Sequence, residues 1–458
     1  MMKIALDVLP YREFAFENSA CTLVNRVSDY SGILIHAKTA LPLFYIKNSA
    51  LSLLAADSYI ISNHKIVIYI KKNLYWSNGE RIVAQDYVRA VKFICRDYKN
   101  IHKTLFTELV NYEEFSRGSS NEIGVYSIRD NQIVFEMKYN NPFFGFYLTN
   151  IAVSPIHHSD VTLCPGPYQI DFISKDKYCL SRNIYFDYKL PFNAINYIEY
   201  ILAENGTDIE LFNNNKIDVT SDTSLKFNQF ANMKCRDDFF QDNDKYQLIM
   251  LVSAGSLFED ISPGIKKIIL SAINQDEICA TLDNCPKAIN SFMYKYGVCY
   301  KLRSPENLSS LENNVYISIS YEDYYPNKLI VELIAKQLKK YKIILVPHVD
   351  EYMSRKSKTH LRLEIRTSMM ETPFLFYKSD LFRGLLKGRQ FELARAAYSY
   401  IIQNEITPKT KEALLVLDRI VISELLAVPL LVLPKAKFVK HNIVIDSIFS
   451  VGEPIYHV

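Results

Sequence analysis

Alternating apolar and polar residues predict the strands of this chain, and apolar residues at helical spacing predict its helices. Lys65–Lys72 (KIVIYIKK) alternates and is rich in β-branched residues, which is typical of a strand. Asn78-Gly79 then favours a tight turn. Asp86 can accept hydrogen bonds in a first helical turn, and apolar residues recur behind it at helical spacing: Val88, Val91 and Cys95. We therefore predict a strand, a turn and an amphipathic helix here.

The second half of the chain carries the pattern of a β-α-β unit. Val315–Ser320 and Ile343–Val346 have the composition of strands, and Asn327–Lys340 between them has helical spacing. Such crossovers build parallel sheets. A further strand is predicted at Leu361–Ile365, and an amphipathic helix at Lys409–Leu426. The chain therefore belongs to the α/β class.

Length and composition are those of a globular protein with two or three packed units. The chain has 458 residues, of which 49% are hydrophobic and 22% charged. Lys plus Arg total 53 and Asp plus Glu total 50, a net charge of +3, so no strong positive field indicates a nucleic-acid partner. The apolar run Leu425–Leu433 is far shorter than the roughly 20 residues of a membrane-spanning helix.

No enzyme motif is visible in the sequence. Neither G-x-x-x-x-G-K-S/T nor G-x-G-x-x-G occurs, and H-E-x-x-H and G-x-S-x-G are also missing. An enzyme stays possible, because catalytic groups assemble in space. His157-His158 suggests a metal ligand pair, but with no third ligand at useful spacing a structural role is favoured. We expect no metal and no cofactor. The eight cysteines form no C-x-x-C pair, and Cys95 is expected to be a small buried residue.

The turn and helix around the single tryptophan resemble a signature of the family 5 solute-binding proteins, the peptide- and nickel-binding receptors of ABC transporters. Trp76-Ser77-Asn78-Gly79 and Ala84–Val88 match that signature. Other segments match in the family's order: Gly166-Pro167-Tyr168, Leu180–Asn183, Leu211–Val219, Ala272–Ile278, Leu333–Val346 and Val428–Leu430. The residues that we assign to the structural motif are Trp76, Gly79, Asp86, Gly166, Tyr168 and Asn183.

The resemblance implies a two-lobed periplasmic-binding-protein-like fold, of the class II, cluster C type, with a ligand cleft at the hinge. Residues 1–35, 154–242 and 428–458 would form lobe 1, and residues 243–427 would form lobe 2. Residues 36–153 would be an extra subdomain packed on lobe 1. The resemblance further implies non-catalytic capture of a small peptide-like or amino-acid-derived ligand by closure of the two lobes.

The expected ligand contacts lie in Leu361–Phe376, where the family usually has an aspartate that holds the ligand ammonium. This chain has Met369 near that position, and Glu371 is the acid considered as its replacement. Arg366 stands near an expected tryptophan; facing the cleft it would suit a carboxylate or phosphate. The alternative is an Arg366 that lies on an outer strand face in water. The predicted ligand-binding set is Arg366, Met369, Glu371 and Phe374.

The first residues do not resemble an export signal. Met1–Cys21 has Asp7 and Pro10 where an apolar segment would be needed. We therefore expect a cytoplasmic monomer. Three alternatives remain open: an extracytoplasmic receptor whose leader is missing from this sequence, which would meet an ABC transporter membrane component; an intracellular sensor; and an enzyme or biosynthetic accessory that has repurposed the fold.

Overall fold

The computed structural model describes residues 1–7, 23–47, 50–62, 64–186, 195–203, 207–222, 235–254, 256–282, 286–292, 294, 309–323, 326–351, 357–367, 377, 386–404, 407–446 and 455–457. The chain forms two compact units, Met1–Thr220 with Val439–Val458, and Ser221–Phe438. It thus passes between the units at 220–221 and 438–439, whereas the predicted boundaries fall at 242–243 and 427–428. The separate subdomain at 36–153 stays a prediction.

The described strands and helices follow the chain in alternating groups. The strands are β1 (Met2–Leu6), β2 (Phe44–Lys47), β3 (Ala50–Leu53), β4 (Ala56–Ser62), β5 (Lys65–Ile70), β6 (Val125–Arg129), β7 (Gln132–Glu136), β8 (Tyr168–Ile173), β9 (Lys177–Arg182), β10 (Tyr197–Leu202), β11 (Phe239–Ser253), β12 (Lys287–Ala288), β13 (Val315–Glu322), β14 (Ile343–Asp350), β15 (Leu361–Thr367), β16 (Ala427–Phe438), β17 (Val444–Asp446) and β18 (Ile455–His457). The α-helices are α1 (Tyr30–His36), α2 (Ala84–Arg96), α3 (Tyr112–Ser116), α4 (Phe144–Tyr147), α5 (Asp208–Asn213), α6 (Pro263–Ala272), α7 (Gln275–Thr281), α8 (Asn327–Lys339), α9 (Gly388–Gln403) and α10 (Pro408–Ser423). Short 3-10 turns occur at Val24–Arg26, Ile101–Phe106, Ile151–Val153 and Ser256–Asp260.

The first unit contains two four-stranded sheets. One has the order β1-β10-β9-β8, with β1 and β10 parallel and the other pairs antiparallel. The other has the order β4-β5-β7-β6 and is antiparallel throughout. The predicted alternation in β5 is confirmed, because Ile66, Ile68 and Ile70 are all buried. This unit also contains the hairpins β2–β3 and β17–β18.

The helix predicted after the Asn-Gly turn is α2, and its first turn is built as expected. It begins at Ala84, and the Asp86 carboxylate accepts a hydrogen bond from the Val83 backbone N–H at 3.0 Å. Its apolar stripe is buried along the helix, including Val91 and Cys95. Burial raises the pKa of the Cys95 thiol, so this cysteine is an inert core residue, as predicted.

The second unit is built on one six-stranded mixed sheet of order β12-β16-β11-β15-β13-β14. The predicted β-α-β unit is confirmed as β13, α8 and β14, with the two strands parallel. β16 pairs antiparallel with β11 from Phe438 to Ala427, which is why both boundaries of this unit differ from the predicted ones. The register shifts beside Pro429, which has no N–H to give to the ladder.

Two further properties concern the described part of the chain. Its cysteines, Cys95, Cys164, Cys179, Cys235 and Cys279, are all free thiols. No helix there combines the length and the apolar character needed to cross a membrane.

Candidate functional site

The turn after β5 holds a buried tryptophan. Trp76 is 1% exposed; its backbone N–H donates to the Glu80 carbonyl at 2.8 Å, and its carbonyl accepts from the Gly79 N–H at 2.9 Å. Gly79 has φ 87°, and a Cβ there would lie 2.9 Å from the Tyr185 ring. The turn therefore needs glycine for its backbone and for the space beside it.

A second close contact joins the start of β8 to the loop after α1. The Gly166 N–H donates to the Thr39 carbonyl at 2.9 Å, and a Cβ on Gly166 would lie 2.5 Å from the Thr39 carbonyl carbon. The buried Asn183 amide donates to the Gly166 carbonyl at 2.9 Å. The buried Tyr168 hydroxyl donates to the Ile195 carbonyl at 2.7 Å. In this geometry Gly166, Tyr168 and Asn183 hold backbone segments together.

His157 packs its ring edge-to-face against Trp76, with ring centroids 5.3 Å apart. Its Nδ1 accepts a hydrogen bond from the Asp160 backbone N–H at 3.0 Å. A backbone N–H can only donate, so in the neutral ring the hydrogen is on Nε2. Nε2 lies 2.7 Å from Glu80 Oε2 and donates to it. This hydrogen bond lowers the pKa of the Glu80 carboxyl.

The same place contains three groups of metal-binding type. Glu80, His157 and His158 each offer a ligand atom, and these atoms lie within 4.8 Å of one another. The sequence offered no third ligand beside the histidines, whereas the fold brings Glu80 from 77 positions away. The Nε2 hydrogen of His157 is directed at Glu80, so a metal ion at Nε2 would have to displace it. The hydrogen bonds of His157 tie the Trp76 turn to the segment after Ile151–Val153.

Three charged residues share one face of β15: Arg362, Glu364 and Arg366. Their alternation places them together, while Leu361 and Leu363 are buried on the opposite face. The Arg366 guanidinium donates to Glu364 Oε2 from Nε at 3.1 Å and from a terminal nitrogen at 2.9 Å. The two side chains are only 16% and 12% exposed. Arg366 is therefore a largely covered cation with an acid beside it, unlike the arginine in open water that the sequence left as the alternative.

Arg362 makes a more deeply buried ion pair at the end of β14. Its guanidinium lies 2.6 Å from Asp350 Oδ2, with side chains 8% and 3% exposed. Asp350 also accepts a hydrogen bond from the Ser357 backbone N–H at 3.1 Å. A buried ion pair of this kind is costly to break, because the remaining charge cannot reach water.

The other predicted ligand-binding residues, Met369, Glu371 and Phe374, lie outside the described residues. Sequence analysis considered only Glu371 as the replacement acid and missed Glu364. The signal was available, because residues two apart in an alternating strand share a face. Arg366 and Glu364 are the members of the candidate site that the structure brings together.

A further buried carboxylate belongs to α10 in the same unit. Asp418 is 0% exposed and accepts hydrogen bonds from the Ser291 and Tyr377 hydroxyls. Burial raises its pKa to about 6, although these hydrogen bonds oppose the shift. Sequence analysis missed it. The only available signal is that Asp418 interrupts the buried apolar stripe formed by Leu414, Leu417 and Val421.

Solved structures resemble the chain over nearly its whole length. Haemophilus influenzae OppA in complex with RPPGFSPFR gives a TM-score of 0.81 at 14% identity, covering 96% of this chain and 94% of that one. Listeria monocytogenes OppA bound to peptide gives 0.78 at 15%, covering 100% and 98%. Staphylococcus aureus NikA in complex with Ni(L-His)2 gives 0.75 at 13%, covering 97% and 95%. The chain therefore has the mixed α/β, two-lobed fold of periplasmic binding proteins.

The sequence itself identifies the family. A model of the bacterial extracellular solute-binding proteins, family 5, middle region, matches residues 52–352, well over half of the chain. The chain therefore belongs to this family of bacterial extracellular solute-binding proteins. Among curated proteins, no match to the chain was found. The fold and family predicted from the motifs are confirmed.

Proposed function

We propose that this protein captures a small peptide-like or amino-acid-derived ligand without changing it chemically, and that Arg366 and Glu364 recognise the charged groups of that ligand. The observation that carries the proposal is this covered ion pair on one face of β15. It lies within Leu361–Phe376, the segment that resembles the ligand-contacting stretch of the family. Relatives of the same fold have been solved with a peptide and with Ni(L-His)2, and another is described as a murein tripeptide binding protein.

The chemistry of the pair suits a ligand that carries both charges. A carboxylate can replace Glu364 on the Arg366 guanidinium in a bidentate contact, and an ammonium can replace Arg366 on Glu364. The ion pair between Arg366 and Glu364 would then be replaced by two ion pairs with the ligand, so each of the two side chains keeps a charged partner. An amino acid or a short peptide has both groups.

Titration calorimetry with a library of amino acids and short peptides tests this proposal. For the best ligand found, Arg366→Ala and Glu364→Ala are each expected to weaken binding by about ten- to a hundredfold, the usual effect of losing a charged hydrogen bond. Lys387→Ala is the control, because Lys387 makes a similar pair with Glu259 at 3.0 Å but is highly exposed. Unchanged affinity in both site variants, with the fold intact, would show that this pair does not contact the ligand.

The place of action stays a prediction. The protein would be cytoplasmic as the sequence reads, or extracytoplasmic with an ABC transporter membrane component as its partner. Cell fractionation at native expression level, followed by immunoblotting, distinguishes the two.

A further inference from the structure

β4 is an edge strand with an unusually exposed surface. It lies at one end of the sheet β4-β5-β7-β6, and among the described strands it pairs with β5 alone. All residues from 57 to 62 are exposed. They include three large apolar side chains: Tyr59 at 39%, Ile60 at 57% and Ile61 at 45%. Such an edge offers backbone N–H and C=O groups to another strand.

The strand lacks the usual protection against pairing. Proteins commonly block an open edge with a charged residue or a proline near its middle. The segment Ser58–Ser62 (SYIIS) contains neither. Its one register irregularity lies at the start, between Ala56 and Ser58, and leaves the remaining five residues in regular pairing with β5. The segment Ser58–Ser62 is therefore able to accept a partner strand.

The sequence of this segment is complementary to itself in an antiparallel pair. With a two-fold axis at Ile60, Ile60 lies opposite Ile60 of the second copy. Ser58 then lies opposite Ser62, and Tyr59 opposite Ile61. Apolar residues meet apolar residues, serine meets serine, and no like charges are opposed. Self-complementarity of this kind is what a two-fold symmetric interface requires.

The side chains are also placed to extend an existing apolar face. Tyr59 lies opposite Ile68 on β5, and Ile61 lies opposite Ile66; both of these isoleucines are fully buried. Tyr59 also contacts Phe44 edge-to-face, with ring centroids 5.3 Å apart, which orders its ring before any partner arrives. Pairing would therefore cover two half-exposed apolar residues at the margin of a formed core.

We propose that β4 pairs antiparallel with β4 of a second copy of this chain, which gives a weak two-fold dimer in place of the expected monomer. A five-residue ladder buries far less than the roughly 1,200 Å² of a stable interface. The dissociation constant of this dimer is therefore expected to lie in the micromolar range or above. This inference is independent of the ligand proposal.

Sedimentation velocity from about 1 µM to several hundred µM tests the association. The wild type should show a concentration-dependent shift from monomer to dimer. Ile60→Lys should weaken it by about tenfold or more, because the two new charges would face each other across the axis. Ile128→Lys is the matched control: Ile128 lies on the opposite edge strand β6 and is 58% exposed. A wild type that stays monomeric throughout, or equal effects of the two variants, would overturn the proposal.

Disulfide formation tests the register. Residues opposed in an antiparallel pair have Cα atoms about 4.5–5.5 Å apart, within the range of a disulfide. Ile60→Cys should therefore form a covalent dimer under mild oxidation, above the background of the wild type with its own thiols. Ile128→Cys should not. If Ile60→Cys crosslinks no more than Ile128→Cys while dimer is present, the interface is not centred on β4.

Discussion

In the first unit, the buried carboxylate of Asp86 lies in the first turn of α2, where it accepts from the Val83 N–H at 3.0 Å and from Arg89 at 2.9 Å. In the second unit, charge is buried away from helix termini, in an ion pair between two strands and inside a helix. Arg362 on β15 is held by Asp350 at the end of β14, and Asp418 interrupts the apolar stripe of α10. The first arrangement stabilises a helix terminus, whereas the second places charge in the interior without a helix terminus beside it.

This difference indicates where the chain keeps polar groups at a cost in stability. A carboxylate in a first helical turn has backbone donors at hand and a favourable helix dipole. A buried charge away from a helix terminus has no helix dipole beside it, and its pairing at best offsets its desolvation. Charges retained in such positions are candidates for function, and the covered pair of Arg366 and Glu364 lies on the same strand face as Arg362. Three substitutions test the comparison.

The largest effect is expected at Arg362. Arg362→Met should lower the free energy of unfolding by about 3 kcal/mol, because Asp350 would be left as a buried charge with only hydrogen bonds from Ser357. Urea denaturation measures this change in the free energy of unfolding. Lys387→Met is the control, since the Lys387–Glu259 pair is highly exposed, with side chains 71% and 55% exposed, and its free energy of unfolding should change by less than about 1 kcal/mol. The double variant Arg362→Met, Asp350→Leu should regain most of the loss. Equal losses of stability in the Arg362 and Lys387 variants would show that the buried pair is no more costly to break than the exposed one.

Asp418 is expected to give a pH-dependent effect of intermediate size. Its pKa is about 6 in the folded protein against 3.8 for an unperturbed aspartate. The folded state therefore binds the proton more tightly, and the contribution to stability is complete below pH 4 and is lost as the pH rises through 6. The loss amounts to about 2–3 kcal/mol. Unfolding of the wild type and Asp418→Asn should be compared at pH 4.5 and 7. The free energy of unfolding of the wild type should fall relative to that of the variant at the higher pH. If both proteins depend on pH in the same way, the burial of a titrating carboxyl is contradicted.

The smallest effect is expected at Asp86. Asp86→Asn should cost about 1 kcal/mol, because the amide oxygen can still accept from the Val83 N–H while the charge interaction with Arg89 is lost. The thermal unfolding temperature should fall slightly at pH 7, and the difference should shrink at high salt. A loss as large as that of Arg362→Met would mean that both units bury charge at the same cost.

The sequence allowed many of the strands and helices to be predicted, but only part of the candidate site. The alternation in β5 and the spacing in α2 and α8 are local signals of apolar burial, so their elements could be predicted. The start of β11 at Phe239 has no such local signal, because the first half of this strand is stabilised by pairing with β16. Contacts between distant positions were equally inaccessible: no local pattern places Glu80 against His157, or Asp418 against Tyr377. Glu364 was accessible, since its spacing from Arg366 alone indicates a shared face.

The central claim, capture of a small charged ligand, is tested most directly by identifying what the protein holds. The protein would be purified from its native source and denatured, and the released small molecules would be identified by mass spectrometry, with Arg366→Ala purified in parallel. We predict a peptide or amino-acid derivative released unchanged from the wild type and depleted in the variant. No bound molecule, together with no thermal shift across an amino-acid and peptide library, or release of a chemically converted product, would contradict the claim.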